Sequence, residues 1–306
     1  MNVEWMRGCA TALVTPFAAD GTVDPGAHRR LVERQIEGGV RLLVPCGTTG
    51  ESVTMTAAER DSVVAATVEA ARGRARVAAG TGSNSTAAAA AQSRRAAALG
   101  ADAVLVVAPY YNKPTQEGLY RHFMAVAEAI PDTPVVLYNV PGRTSTNILP
   151  ETVLRLARDA ANVVAVKEAS GDLAQVMEIV RGRPEGFLVL SGDDALTLPM
   201  IAVGADGLVS VASNEAPGPV SRMVEAALEG RWEEAREAHY RLLPLMNVNF
   251  AETSPAPVKA AMKMMGLLEA ETLRLPLVPV GEETRGRVRE VLEELGLLEE
   301  AGHVSA

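Results

Sequence analysis

The sequence predicts a (β/α)8 TIM barrel followed by a helical C-terminal extension, and three observations carry that reading. Short apolar runs alternate eight times with longer helical patterns within about 220 residues. Most of these runs are continuously apolar, as strands buried on both faces of a parallel sheet should be. No G-x-G-x-x-G follows the first run. The nearest spacing, Gly80-Thr81-Gly82-Ser83-Asn84-Ser85, lacks the third glycine, which weakens the rival reading as an open doubly wound sheet.

The predicted strands are Ala10–Val14, Leu42–Pro45, Arg76–Ala79, Ala103–Ala108, Val135–Tyr138, Val163–Val166, Phe187–Leu190 and Gly207–Val209. Between them lie amphipathic, alanine-rich helical stretches. These are Pro25–Gly38, Thr56–Ala71, Thr86–Leu99, Thr115–Ala129, Pro150–Arg158, Leu173–Val180, Asp194–Val203 and Pro217–Leu228. Thr56 followed by Glu59 has the spacing of a capping box. Pro150 suits a first helical position. Gly38 and Gly100 sit where helices should stop. Beyond residue 230 the pattern is helical throughout, with Trp232–Leu243, Pro257–Met265 and Glu282–Leu295. The chain therefore divides into a barrel, 1–230, and an extension, 231–306, that is small for an independent domain.

Composition narrows the function classes. The 306 residues are 48% hydrophobic and 22% charged, which is globular rather than disordered or collagen-like. A net charge of −9 with no basic tract argues against nucleic-acid binding. Two cysteines, Cys9 and Cys46, are too few for a disulfide scaffold or a four-cysteine zinc site. His28, His122, His239 and His303 show no metal-ligand spacing, so no metal is expected and each is read as a surface or satisfied core residue. No signal peptide is visible, and the longest aliphatic runs fall short of the ~20 residues that span a bilayer. A soluble cytoplasmic protein with no membrane partner is expected.

In such a barrel the active site lies at the C-terminal ends of the strands. The polar residues there are Gly47-Thr48-Thr49-Gly50, Tyr110-Tyr111-Asn112, Tyr138-Asn139, Arg143, Lys167-Glu168 and Gly192-Asp193. Lysine is scarce in this chain, occurring at 113, 167, 259 and 263. Lys167 ends the run Val163–Val166 and should point into the barrel mouth. Desolvation there favours a neutral amine able to attack a ketone, whereas pairing with Glu168 or Asp193 would give it a structural role. The Gly47–Gly50 turn offers two hydroxyls and several N–H groups for a carboxylate, or a plain loop with capping threonines. Tyr111 and Tyr138 can relay protons or simply pack. Arg143 can fork onto a carboxylate or stand as a solvated charge. Taken together, these groups equip the chain for class I aldolase chemistry through iminium and enamine stages, with a covalent lysine imine and no cofactor.

At this point the chain resembles the pyruvate-dependent, lysine-type aldolases, the family that includes dihydrodipicolinate synthase and N-acetylneuraminate lyase. The segments that carry the resemblance are GCATALVTPF, PCGTTGES, VAAGTGSNST, VVAPYYNKPTQEGLYRHF, LYNVPGRT, VKEASGD, LSGDD and GLVSV, in order across residues 8 to 280. The synthase branch fits best. It implies condensation of pyruvate with L-aspartate 4-semialdehyde, the entry step to diaminopimelate and lysine. The resemblance implies Lys167 as the Schiff-base lysine and Tyr138, Thr49 and Tyr111 as the proton relay, with Tyr111 supplied by a neighbouring subunit. Thr48 and Thr49 would hold the pyruvate carboxylate, and Gly192 and Val209 would line the pyruvate pocket. Arg143 would bind the carboxylate of the aldehyde. A homotetramer, as a dimer of dimers, is implied as well.

Two further expectations follow from the resemblance. Lysine-inhibited members use a histidine and a glutamate that fall near Ala57 and Ala88 here, so inhibition by lysine should be weak or absent. The rival readings are an aldolase or dehydratase acting on a sugar acid, and a non-catalytic protein on the same fold. Arg143 and Tyr111-Asn112-Lys113-Pro114 favour the synthase over the first. Retention of Lys167 and the tyrosines argues against the second.

Overall fold

The computed structural model describes residues 1–298. Its strands are β1 (Gly8–Ala12), β2 (Leu42–Val44), β3 (Arg76–Gly80) and β4 (Ala103–Val107), then β5 (Val135–Asn139), β6 (Val163–Glu168), β7 (Leu188–Ser191) and β8 (Gly207–Ser210). Each pairs in parallel with its neighbour, and β8 returns to β1, closing the barrel. Closure excludes the open-sheet reading.

The apolar runs are buried on both faces because their side chains alternate between two cores. On β4, Ala103 and Leu105 face the barrel interior, while Val104 and Val106 pack against the helices. On β5, Val136 and Tyr138 face inward, and Val135 and Leu137 outward. β6 breaks the alternation. Val135 pairs with Val163, but Val136 pairs with Ala165, so Val164 is an extra residue in the strand.

The helices of the barrel are α1 (Pro25–Glu37), α2 (Ala57–Ala71), α3 (Thr86–Ala98), α4 (Gln116–Ala129), α5 (Pro141–Thr144), α6 (Pro150–Asp159), α7 (Leu173–Gly182), α8 (Thr197–Ala202) and α9 (Pro217–Leu228). The start and stop signals operate as read. Thr56 and Glu59 form the full capping box of α2, Pro150 opens α6, and Gly38 caps α1. Gly100 follows α3 with φ at +92°.

Several boundaries differ from the sequence pattern. β1 begins and ends two residues before the predicted run, while β6 continues through Lys167 and Glu168. α8 starts at Thr197 rather than Asp194, because the Asp194 carboxylate is spent on the end of β8 instead of a helix. α5 has no apolar period to announce it.

The extension comprises α10 (Trp232–Val248), α11 (Ala256–Met264) and α12 (Glu282–Glu294). α10 runs past Leu243 and carries Pro244 inside it. Leu242, Leu245, Met246, Val288 and Leu292 share one apolar cluster with Leu13, Val32 and Val77 of the barrel. The extension is thus packed mainly on the barrel, and Ala256, Ala260 and Val280 form a small cluster within it.

Three histidines lie among the described residues; His303 lies outside them. His28 and His122 bond Thr67 and Thr86 through one ring nitrogen, but the other is buried without a partner, so they are only half satisfied. Burial pushes both imidazoles down to about 4. Cys9 and Cys46 are free and buried, and burial pushes both thiols up to about 12. No helix among the described residues is long and apolar enough to cross a membrane.

Glu59 joins α2 to the extension. Its carboxylate accepts from the Arg274 guanidinium and from the Thr56 N–H, and these bonds, Arg274 first, hold it down to about 2. A depressed carboxyl stabilises the fold above its ordinary value of 4.5 and loses that contribution as pH falls toward 2. Glu59→Gln is therefore expected to lower the unfolding temperature at neutral pH. The gap from wild type should close between about pH 4.5 and pH 2, as thermal unfolding across that range would reveal.

Candidate active site

The register shift in β6 decides which way the lysine points. Beyond the extra residue, Tyr138 pairs with Lys167 and Asn139 with Glu168. Tyr138 faces the interior, so Lys167 does too, and Glu168 faces outward. The Lys167 amine stands 4.3 Å from the centre of the Tyr138 ring. Both residues are buried and line a cavity of about 130 Å³ at the barrel mouth, together with Thr48, Thr49, Arg143 and Gly192.

Lys167 does not take the structural role its neighbours suggested. The Glu168 carboxylate is enclosed by the Asn139 amide at 3.0 and 3.1 Å, the Gln175 amide at 3.0 Å and the Ser170 N–H at 2.7 Å. Asn147 joins this network by accepting from Asn139 at 2.7 Å and donating to Gln175 at 2.8 Å. The Asp193 carboxylate accepts from the N–H groups of Ala195 and Leu196. Both acids are thus engaged away from the lysine amine.

Gly192 leaves room for that amine. A Cβ there would lie 2.7 Å from the Ala169 Cβ and 2.9 Å from the Lys167 Cε, so any larger residue displaces the lysine. Gly80 does the same for the threonine turn. A Cβ on it would come within 2.1 Å of the Cys46 carbonyl oxygen. The turn packs onto β3 at this point, and Thr15 donates to the Gly50 carbonyl at 2.7 Å. Thr49 is buried there and Thr48 half-buried.

Arg143 rises from α5 and is exposed. It donates to the Ser254 carbonyl at 3.2 Å, across the mouth. A second cavity, of about 230 Å³, adjoins the first and shares Thr48, Tyr138, Val140 and Arg143 with it. A cleft of about 520 Å³ opens at the other end of the barrel, beside Gly8 and Arg41. Its lining contains neither a lysine nor a tyrosine, whereas Lys167 and Tyr138 meet in the smaller cavity at the mouth.

Two expected site residues lie elsewhere. Tyr111 is 88% exposed, with φ at +75°, and lines neither mouth cavity, whereas Tyr110 lines the second. Val209 faces the interior one layer deeper, and Val211, two residues further along the chain, forms the wall instead. Sequence reading missed Phe250 and Ser254, which reach the cavity from the extension. No local motif marks them. Among the described residues, no group of three or more histidine, cysteine or acidic side chains is placed to hold a metal.

Comparison with known proteins agrees with the barrel fold. The dihydrodipicolinate synthetase family profile matches residues 5–295. The chain belongs to that family. A 4-hydroxy-tetrahydrodipicolinate synthase from Koribacter versatilis is 55% identical over 97% of this chain and 98% of its own. Among solved structures of the dihydrodipicolinate synthetase family, the dihydrodipicolinate synthase of Aquifex aeolicus superposes with a TM-score of 0.94. It is 46% identical, over 96% of this chain and 100% of its own. The chloride-inhibited enzyme of Acinetobacter baumannii, solved in complex with pyruvate, gives 0.93 at 40% identity, over 96% and 100%.

Asn139→Leu tests the support beneath the lysine. It strips donors from a buried carboxylate and should lower stability by about 2–4 kcal/mol, read from urea unfolding.

Proposed function

We propose that this chain condenses pyruvate with L-aspartate 4-semialdehyde, as a 4-hydroxy-tetrahydrodipicolinate synthase. The observation that carries the reading is a buried lysine amine sharing one mouth with the Thr48–Thr49 turn and Arg143, two groups whose donors suit carboxylates. Pyruvate and the aldehyde each bring one carboxylate. Relatives at this identity and coverage support the synthase reading over a sugar-acid aldolase.

In the proposed reaction the Lys167 amine adds to the pyruvate ketone and water leaves, giving an iminium. Loss of a methyl proton turns it into an enamine, whose carbon attacks the aldehyde and forms the carbon–carbon bond. The resulting alkoxide takes a proton. The amine of the second substrate then attacks the iminium carbon, closes the ring and releases Lys167. The iminium is itself the electron sink, so the reaction as written uses no cofactor. Tyr138 and Thr49 carry the protons, and Tyr111 completes the relay from a second copy of the chain. Its exposure in the single chain supports that role. Thr48 and Thr49 hold the pyruvate carboxylate beside the small wall of Gly192. Family resemblance extends the assembly to a cytoplasmic homotetramer.

Lys167→Ala is expected to drop turnover below about 10⁻³ of wild type, with pyruvate, L-aspartate 4-semialdehyde and a coupled NADPH-consuming reductase. Wild-type protein trapped with pyruvate and borohydride should gain one adduct, at Lys167. An adduct without turnover would reject the aldehyde acceptor and keep the imine chemistry. Gly192→Ala should lower adduct formation while leaving the circular-dichroism spectrum unchanged. With alanine at positions 57 and 88, lysine should inhibit weakly or not at all, and a sub-millimolar inhibition curve would contradict that expectation.

A further inference from the structure

Glu51 ends the threonine turn, yet the proposed reaction gives it no task. It is fully buried and lines neither mouth cavity. One carboxylate oxygen takes the ammonium of Lys259 from α11. The other accepts the backbone N–H of Arg274 at 3.1 Å. Lys259 is equally buried, donates to the Thr272 carbonyl at 2.9 Å, and stands 4.3 Å from the centre of the Phe17 ring. The Arg274 guanidinium lies 4.4 Å from the same ring and donates to the carbonyls of Gly21 and Thr54. The segment from Lys259 to Arg274 therefore grips the turn from outside the barrel.

The turn needs that grip. Cys46 and Glu51 bracket it in left-handed conformations, at φ +57° and +52°. Non-glycine residues persist there only where the surroundings over-determine them. The Glu51 N–H donates to the Thr48 carbonyl at 3.0 Å, so the gripped residue and both threonines form one tight unit. Displacement of Glu51 is passed through this backbone bond to the turn that carries the threonines, and small displacements of binding groups are costly to function.

We infer that Glu51 is a positioning residue for the pyruvate carboxylate, held in register by its buried pair with Lys259, so that the C-terminal extension sets pyruvate affinity. This rests on the reading of Thr48 and Thr49 as the pyruvate station.

The test compares full-length Glu51→Gln, Lys259→Met and the double variant Glu51→Leu/Lys259→Met with wild type. The double variant replaces the buried pair by apolar side chains of similar size, an exchange that commonly preserves stability. Half-saturation by pyruvate is measured by borohydride trapping at Lys167, and KM for both substrates by turnover. Pyruvate half-saturation should rise about tenfold or more in all three, with the KM for L-aspartate 4-semialdehyde within about twofold of wild type. A folded double variant with wild-type pyruvate half-saturation overturns the inference, because the pair then serves stability alone. An equal rise in both KM values overturns it too, as general loosening. If the double variant does not fold, Glu51→Gln carries the same outcomes. Wild-type protein that forms no pyruvate adduct removes the pyruvate reading itself, and the inference with it.

Discussion

The extra residue in β6 sets the direction of every side chain beyond it, and the site is built on that shift. In a strand of unbroken alternation counted from Val163, Lys167 would face the helices beside Asn139. With Val164 inserted, the lysine turns inward opposite Tyr138, and Glu168 takes the outward position. An outward carboxylate under α7 must be satisfied, and Asn139, Gln175 and Ser170 satisfy it. The same shift therefore accounts for a lone amine inside and a saturated acid outside.

The fold was legible because its signal is local. Continuous apolar runs, a capping box and helix-stopping glycines lie within a few residues of one another, and each marks its element. The inward lysine was legible by position at a strand end, though the shift that turns it inward was not. Val163 and Val164 are both valine, and nothing in their identity says which one is extra. The short α5 beneath Arg143 escaped for want of an apolar period, and α10 outran its predicted end because packing on the barrel tolerates Pro244.

What stayed hidden is long-range. Glu168 reads as a possible partner for Lys167, and only the closed barrel brings Asn139 and Gln175 to it instead. Phe250 and Ser254 fall between the predicted helices Trp232–Leu243 and Pro257–Met265, yet they wall the cavity. Glu51 looks like one more polar residue in the threonine turn until Lys259 appears, 208 positions away, at its carboxylate. Such pairings follow from topology, and no window of sequence contains them.

That separation has a consequence for how the chain is made. During synthesis the turn carrying Thr48 and Thr49 leaves the ribosome well before β8, whose last residue, Ser210, closes the barrel. The buried acid of the turn still has no counter-charge at that moment. It must wait for Lys259, which follows Glu51 by 208 positions, and for Arg274. The nascent barrel thus has Lys167 in place before the threonine turn is braced, and the segment from Lys259 to Arg274 completes a cluster that Cys46 to Glu51 begins.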